Sequence, residues 1–386
     1  MPLVHFNHSG AGITSPETHQ TIIDHLQSER DHGPMEAGAR VADRLTKSYD
    51  SAAHLLGCTP QEIAFGTGHG QLYADIIAAI PLAAGDKILV SRQEWTGNLL
   101  CLQQAATLSG ATLSLMPADS STAVDVAAIS AVLTPEVRIV ALTWIGASSA
   151  LINPAAALGK AIRESGSPAL FIIDASQAVG QLDVNVAEIG CDALVTCGRK
   201  YLRGPRGTAL AYLSPRLTAQ LVPRKIDNFS ARWLAGDVQV ANSARAVEVA
   251  EGAVALRLGL ATAIDQALAL GLGNIRKTLH ARASALRDAL ASLPHVHLLD
   301  LGHEKAAFVT FTVDGFSCAT VKQHLAGQGI TLGVNGPEYT PYDLNMRGIT
   351  ELLRASVHLN TTDRDIAMLA DALRTLAGNA ADAQQE

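Results

Sequence analysis

The chain has 386 residues, too many for one ordinary hydrophobic core, so two domains are expected. Hydrophobic residues make up 48% and charged residues 17%, which excludes a disordered or fibrous chain. The net charge is −7 and there is no basic tract, which argues against nucleic acid as a partner.

The opening, MPLVHFNHSGAG, lacks a basic stretch followed by an apolar run, so it does not read as a secretory leader. No apolar stretch reaches the roughly 18 residues of a membrane span. From about residue 60 to 215, strand-like runs alternate with helix-like ones. EIAFG (62–66) precedes QLYADIIAAIPLA, and KILVS (87–91) precedes NLLCLQQAATLSG. TLSLMPA, RIVALTW, ALFIIDAS, CDALVTC and GTALAYL follow. Several of these runs are apolar throughout, as strands are when helices cover both faces of a parallel sheet. The segment therefore reads as an α/β domain with about seven strands.

From about residue 246 the pattern changes. AVEVAEGAVALRLGLATAIDQALALGL predicts a long Ala/Leu-rich helical region, and GNIRKTLHARASALRDALASL a second, amphipathic one. Strand-like AFVTFTV and LLRASVHL, separated by helix-like CATVKQHLAGQG, predict a smaller α+β domain. DRDIAMLADALRTLAGN predicts a closing helix, and AADAQQE a frayed tail. The expected division is 1–250 for the opening segment and large domain, and 251–386 for the small one.

The five cysteines, Cys58, Cys101, Cys191, Cys197 and Cys318, form no C-x-x-C pair, so neither a disulfide framework nor a zinc site is expected. A reducing cytoplasm is the simplest setting. Thirteen histidines include no H-E-x-x-H, and no metal is expected.

In open α/β sheets, ligands bind beyond the carboxyl ends of the strands. Four such ends carry distinctive residues. GTGHGQ (66–71) opens a helix with small residues, leaving backbone N–H groups free for an anion. Its spacing is neither G-x-G-x-x-G nor a P-loop, and a plain turn reads as well. RQEWTGN (92–98) places Trp95 where a flat ring could lie on a ligand. DASQ puts Asp174 at the end of an apolar strand, where an acid needs a cationic partner. TCGRKYLRGPRG puts Lys200 on the lip of a glycine-rich turn. An anion cradle, an aromatic, an acid and a lysine suit pyridoxal 5′-phosphate (PLP), which has a phosphate, a flat ring, a ring nitrogen and an aldehyde.

With these segments, and with FNHSGAG, NPAAALGK and RASVHLNTTDRDI, the chain resembles the class V aminotransferase-fold enzymes of the fold-type I PLP group. That group includes cysteine desulfurases, isopenicillin N epimerase-like proteins and the ergothioneine C–S lyase. The resemblance implies a mostly parallel seven-stranded sheet between helices, a smaller C-terminal α+β domain, PLP as cofactor, and a homodimer with the active site at the interface. It implies Lys200 as the lysine that carries the cofactor, Asp174 as the partner of the ring nitrogen and Gln177 as a donor to the ring hydroxyl oxygen. It further implies Trp95 as the stacking aromatic, with Thr67, Gly68 and His69 forming the phosphate cup. Arg354 matches the arginine that binds a substrate α-carboxylate, and Asn98 and Arg206 are further substrate-contact candidates. Arg206 reads equally as structural charge.

Three departures from the desulfurases stand out. Arg199 replaces the histidine before the lysine and is placed with the cofactor, as in the RK–GPRG branch of epimerase-like and lyase proteins. Ala147 stands where the family has an asparagine. TLGVNGPEYTPYDLNMRGITE holds no cysteine, so desulfurization through a persulfide-forming thiol is not expected. The expected activity is β-elimination by a carbon–sulfur lyase on a cysteine-type conjugate. The alternatives are an amino-acid epimerase or aminotransferase and, from another class, a non-catalytic binding protein of this fold.

Overall fold

A computed structural model describes residues 3–383, so Met1, Pro2 and the last three residues of the predicted tail lie outside the described residues. Fourteen strands occur in chain order among the described residues: β1 (Val4–Phe6), β2 (Ile63–Gly66), β3 (Lys87–Val90), β4 (Thr112–Leu115), β5 (Val137–Thr143), β6 (Leu170–Asp174), β7 (Ala193–Cys197), β8 (Ala209–Leu213), β9 (Ala231–Leu234), β10 (Asp237–Val240), β11 (Val296–Leu298), β12 (Phe308–Val313), β13 (Ile330–Asn335) and β14 (Leu352–Ser356).

Seven of them form the large sheet, in the order β2-β8-β7-β6-β5-β3-β4. β8 runs antiparallel to both its neighbours, and the other pairs are parallel. Apolar residues on these strands serve two cores at once. Phe171, Ile173 and Leu194 face one, while Ile172, Ala193 and Val195 face the other. A strand covered on both sides cannot alternate polar and apolar residues, which is why these segments read as unbroken apolar runs. Two antiparallel pairings restore direction, so β2 points the same way as β7. The carboxyl ends of β2, β3, β5, β6 and β7 therefore share one edge, and the site lies there.

The second sheet has the order β1-β13-β14-β12-β11. Its first member comes from the opposite end of the chain: Val4 pairs with Ile330 and Phe6 with Leu332, in parallel. From β1 the chain crosses to the large sheet, where the Gly12 N–H donates to the Arg199 carbonyl at 2.7 Å. A Cβ on Gly12 would lie 2.5 Å from the Lys200 carbonyl oxygen. Gly180 (φ 91°) presses on the other side of the same turn, where a Cβ would lie 2.4 Å from the Tyr201 carbonyl carbon. The two glycines let backbone approach backbone around the lysine.

The structure alters three expectations for the second half. The helix expected over the Ala/Leu-rich region begins only at Val254, because the preceding segment delivers Glu248 into the interior. There its carboxylate accepts from the Phe65 N–H at 2.7 Å and the Tyr49 hydroxyl at 2.8 Å. TLGVN, to which the sequence reading assigned no element, lies in β13, and β9–β10 form a separate hairpin that the sequence reading did not anticipate. No single helix among the described residues is long and apolar enough to cross a membrane.

Where β1, β14 and the Lys200 turn meet, three histidines gather. His8 lies 5.0 Å from His358 and 4.7 Å from His5, ring centroid to centroid. His358 Nε2 donates to the Tyr201 carbonyl at 3.0 Å. Burial, then the neighbouring His358, His5 and Arg203, lowers the pKa of His8 from 6.5 to about 2; burial first, then Arg203, lowers His358 to about 4. An unfolded chain binds protons at these positions below about pH 6.5 and the folded chain does not, so stability rises with pH across that window. We expect the melting temperature to fall as pH drops from 6.5 toward 4. His358→Gln, which keeps a donor for Tyr201, should flatten the slope by about one proton, or ~1.4 kcal/mol per pH unit. An unchanged slope in His358→Gln would remove this histidine from the account.

Candidate active site

A cavity of about 600 Å³ opens along the shared strand edge. Its floor is Asp174 from the end of β6 and Lys200 from the turn after β7; its far wall is Arg354 from β14 and Asn335 from β13. Gly68, His69, Trp95, Gln177, Arg199 and Arg206 also line it, so nine of the eleven expected site residues meet in one space.

Asp174 is the most constrained of them. Oδ1 accepts the Ser176 N–H at 2.9 Å, and Oδ2 accepts the Asn98 amide at 2.9 Å. His69 Nε2 stands 3.1 Å from Oδ1. Burial alone would raise the pKa of this carboxyl. His69, Lys200 and the Ser176 N–H outweigh it and hold the acid well below the usual carboxylate range. His69 was expected at a phosphate cup. Its backbone does begin the helix His69–Ala79, but its ring turns inward, stacked on Tyr73 at 5.5 Å and edge-on to Trp95 at 5.7 Å.

Lys200 is half-buried in the cavity floor. Burial lowers its proton affinity, against the opposing pull of Cys197 and Asp174. Gln177 donates to the Ser9 carbonyl at 3.0 Å, and its Oε1 is buried with no partner. Arg354 is buried, and burial lowers its pKa to about 10. Its Nη1 donates to the Ala147 carbonyl at 2.8 Å, while Nε has no partner. Ala147, the position of the missing family asparagine, thus contributes its backbone oxygen. Asn335 donates to the same oxygen at 3.0 Å and to Ser148 Oγ at 3.1 Å. Arg206 is exposed at the rim and makes no ion pair among the described residues.

Two expected residues lie elsewhere. Thr67 faces a neighbouring cavity of about 280 Å³ beside Tyr49 and Arg257, and its hydroxyl donates to Gln71 Oε1 at 3.2 Å. Asn98 is wholly buried behind Asp174, its amide engaged by Asp174 and by Glu94 Oε1 at 2.8 Å. Sequence reasoning missed Asn335, Ser176 and Glu94. Asn335 lay in a segment to which the sequence reading assigned no element. Ser176 is the third residue of the quoted DASQ. Glu94 carried a signal, an acid four residues before an amide at a helix start.

The Aminotransferase class-V family profile matches residues 17–369, and the chain belongs to that family. A cysteine desulfurase of Synechococcus elongatus is 26% identical over 393 residues, covering 97% of this chain, and this chain spans 60% of that relative's length. An isopenicillin N epimerase of Amycolatopsis lactamdurans is 26% identical over 366 residues, covering 89% of this chain and 88% of that one. The apo cysteine desulfurase of Thermococcus onnurineus NA1 superposes with a TM-score of 0.89 at 20% identity, over 98% of this chain and 95% of that one. The cystine C–S lyase C-DES, in complex with its product cysteine persulfide, superposes at 0.87 with 22% identity, over 96% and 97%. The same lyase has been solved with glycine covalently linked to its PLP cofactor. The fold is the fold-type I PLP-dependent α/β fold, and PLP is the cofactor of the structurally similar lyase.

The residues present fit that cofactor. An ionised acid sits at the floor, and an amine of reduced proton affinity stands beside it. Ser176 Oγ and Gln177 Oε1 are buried polar atoms without partners, both lining the cavity. Gly68 precedes a helix start that no side chain caps, leaving its first N–H groups for a phosphate, with Arg199 in the same cavity.

Proposed function

We propose that this chain is a carbon–sulfur lyase that expels a sulfur leaving group from Cβ of a cysteine-type amino acid. PLP, when bound, supplies a protonated ring that takes up the Cα electrons. Lys200 carries the cofactor and then, through Nζ, takes the Cα proton; its lowered proton affinity suits a base. Asp174 holds the proton on the ring nitrogen. Trp95 covers the ring, and Arg199 with the helix start at Gly68 and His69 binds the phosphate. Arg354 binds the α-carboxylate through Nε and Nη2, since Nη1 is held by Ala147. Fixing the carboxylate fixes which Cα bond stands perpendicular to the ring.

The observation that carries the choice of reaction is the absence of a thiol over the cavity. Cys197 alone among the described cysteines lines it, buried on the strand beneath Lys200, and residues 336–350 contain none. Without a residue to take sulfur from the substrate, the sulfur departs with its own substituent as a thiol, and water hydrolyses the remaining three-carbon enamine to pyruvate and ammonia. The printed activity of the structurally similar C-DES, a C–S lyase, supports the same reading. The epimerase relative supports the runner-up, in which the proton returns to Cα. The active site of a homodimer interface completes the proposal.

One experiment separates these. S-substituted cysteines and their decarboxylated amines are assayed for pyruvate and ammonia, and for deuterium wash-in at Cα, in wild type and Arg354→Lys. We expect pyruvate from the amino acids. Arg354→Lys should lose its preference for them over the amines by roughly 2 to 4 kcal/mol, as loss of a charge-assisted bidentate pair does. Wash-in without pyruvate would replace the lyase reading by epimerisation. Equal slowing of both substrate types would pass the carboxylate role to Arg206.

A further inference from the structure

Glu94 is wholly buried and belongs to none of the steps above. Its carboxylate accepts four hydrogen bonds. Oε1 takes Asn98 Nδ2 at 2.8 Å and Thr143 Oγ1 at 2.7 Å; Oε2 takes the Thr143 N–H at 2.9 Å and Ser91 Oγ at 3.0 Å. No cation pairs with it among the described residues, and burial raises its pKa. An acid without a counter-charge is an expensive thing to keep in a core, and the sheet does not need one: Glu94 lies beyond the end of β3.

What Glu94 does touch is specific. Asn98 Nδ2 has two hydrogens, and they go to Glu94 Oε1 and Asp174 Oδ2. The Asn98 oxygen is buried with no partner, so an amide turned the other way would set that oxygen against two carboxylates. The two acids therefore fix the amide, and the amide fixes the rotation of Asp174. On the other side, the Thr143 hydroxyl that donates to Glu94 accepts the Trp95 N–H at 3.3 Å. On the proposed reading, Trp95 and Asp174 would meet two different aspects of the cofactor ring, its face and its nitrogen, and they come from different elements, Trp95 from the start of the helix Thr96–Ser109 and Asp174 from the end of β6.

We infer that Glu94 is a positioning residue that registers Trp95 and Asp174 against each other, through Thr143 and Asn98 respectively. The inference rests on the assignment of Asp174 to the ring nitrogen. It adds that a second carboxyl group stands behind Asp174, bridged to it by one amide, and holds Asp174 in place for the ring nitrogen. Glutamine at position 94 has the same shape, but its NH₂ would face donors from Asn98 or Thr143 and so break the bridge.

The test uses Glu94→Gln in the full chain, reconstituted with PLP. The expected result is a melting temperature of the apoprotein within a few degrees of wild type. The PLP dissociation constant should rise about tenfold, and the pH midpoint of the visible absorbance should move by about one unit. In an Asp174→Asn background, Glu94→Gln should move the midpoint little further, because the two act on one target. The inference is overturned if affinity and midpoint match wild type, or if the two substitutions add in full. Should Glu94→Gln not fold, Asn98→Ala carries the same measurements, since it cuts the bridge and leaves Glu94 its other three donors. None of these readouts needs a substrate, so a failure of the lyase reading leaves them intact.

Discussion

A Lys200→Ala protein reconstituted with PLP should come off a desalting column colourless, while the wild type stays yellow. Borohydride should fix PLP to the wild-type chain, seen as a mass increase, and should leave the variant unmodified. Turnover should fall by about 10²–10⁴-fold, the range for a removed acid–base group, and further to the extent that cofactor is lost. The fold should not suffer. Burial disfavours the charged form of the lysine, so its removal relieves a cost, and the apo variant should melt no lower than the apo wild type. That combination separates a chemical role from a structural one. Full activity in Lys200→Ala would end the entire reading of the site.

Asp174→Ala should behave differently. The carboxylate is ionised in a buried site and, on the proposed reading, would hold the ring nitrogen, so its loss should appear in kcat, by about a thousandfold, with KM changed far less. It should also appear in stability, with a sign set by the low folded pKa. The carboxylate contributes above the ordinary aspartate range, and that contribution is lost as pH falls toward the folded value. The variant should therefore be less stable than wild type at neutral pH, with the deficit shrinking in acid. A raised KM at unchanged kcat would show that the acid assists binding and not the chemical step.

The large sheet was legible because its strands are buried on both faces. All seven expected strands occur, and RIVALTW, ALFIIDAS and CDALVTC ended where the site residues begin. Asp174 and Lys200 could be read from their places at strand ends, whereas Arg354 came from the family resemblance alone. What could not be read was where side chains turn at the ends of those strands. Thr67 and Asn98 were placed correctly along the chain, but their side chains face away from the cavity. No local pattern distinguishes a hydroxyl that faces a ligand from one that faces Gln71. The second sheet was harder for another reason. β1 and β11 are three residues long, and β13 carries a glycine and an asparagine, so their pairing is decided by partners far away in sequence.

The pairing of β1 with β13 sets an order on how this protein can be made. A strand at residues 4–6 has no place in the large sheet, and its partner at 330–332 leaves the ribosome more than three hundred residues later. Until then the stretch that follows β1, with Gly12 against the Lys200 turn, has nothing to anchor its near end. The large sheet can close first, from contacts within residues 63–213, with the lysine turn open on one side. The cofactor pocket is therefore finished only after residues 330–332 have emerged and residues 4–6 have returned to pair with them.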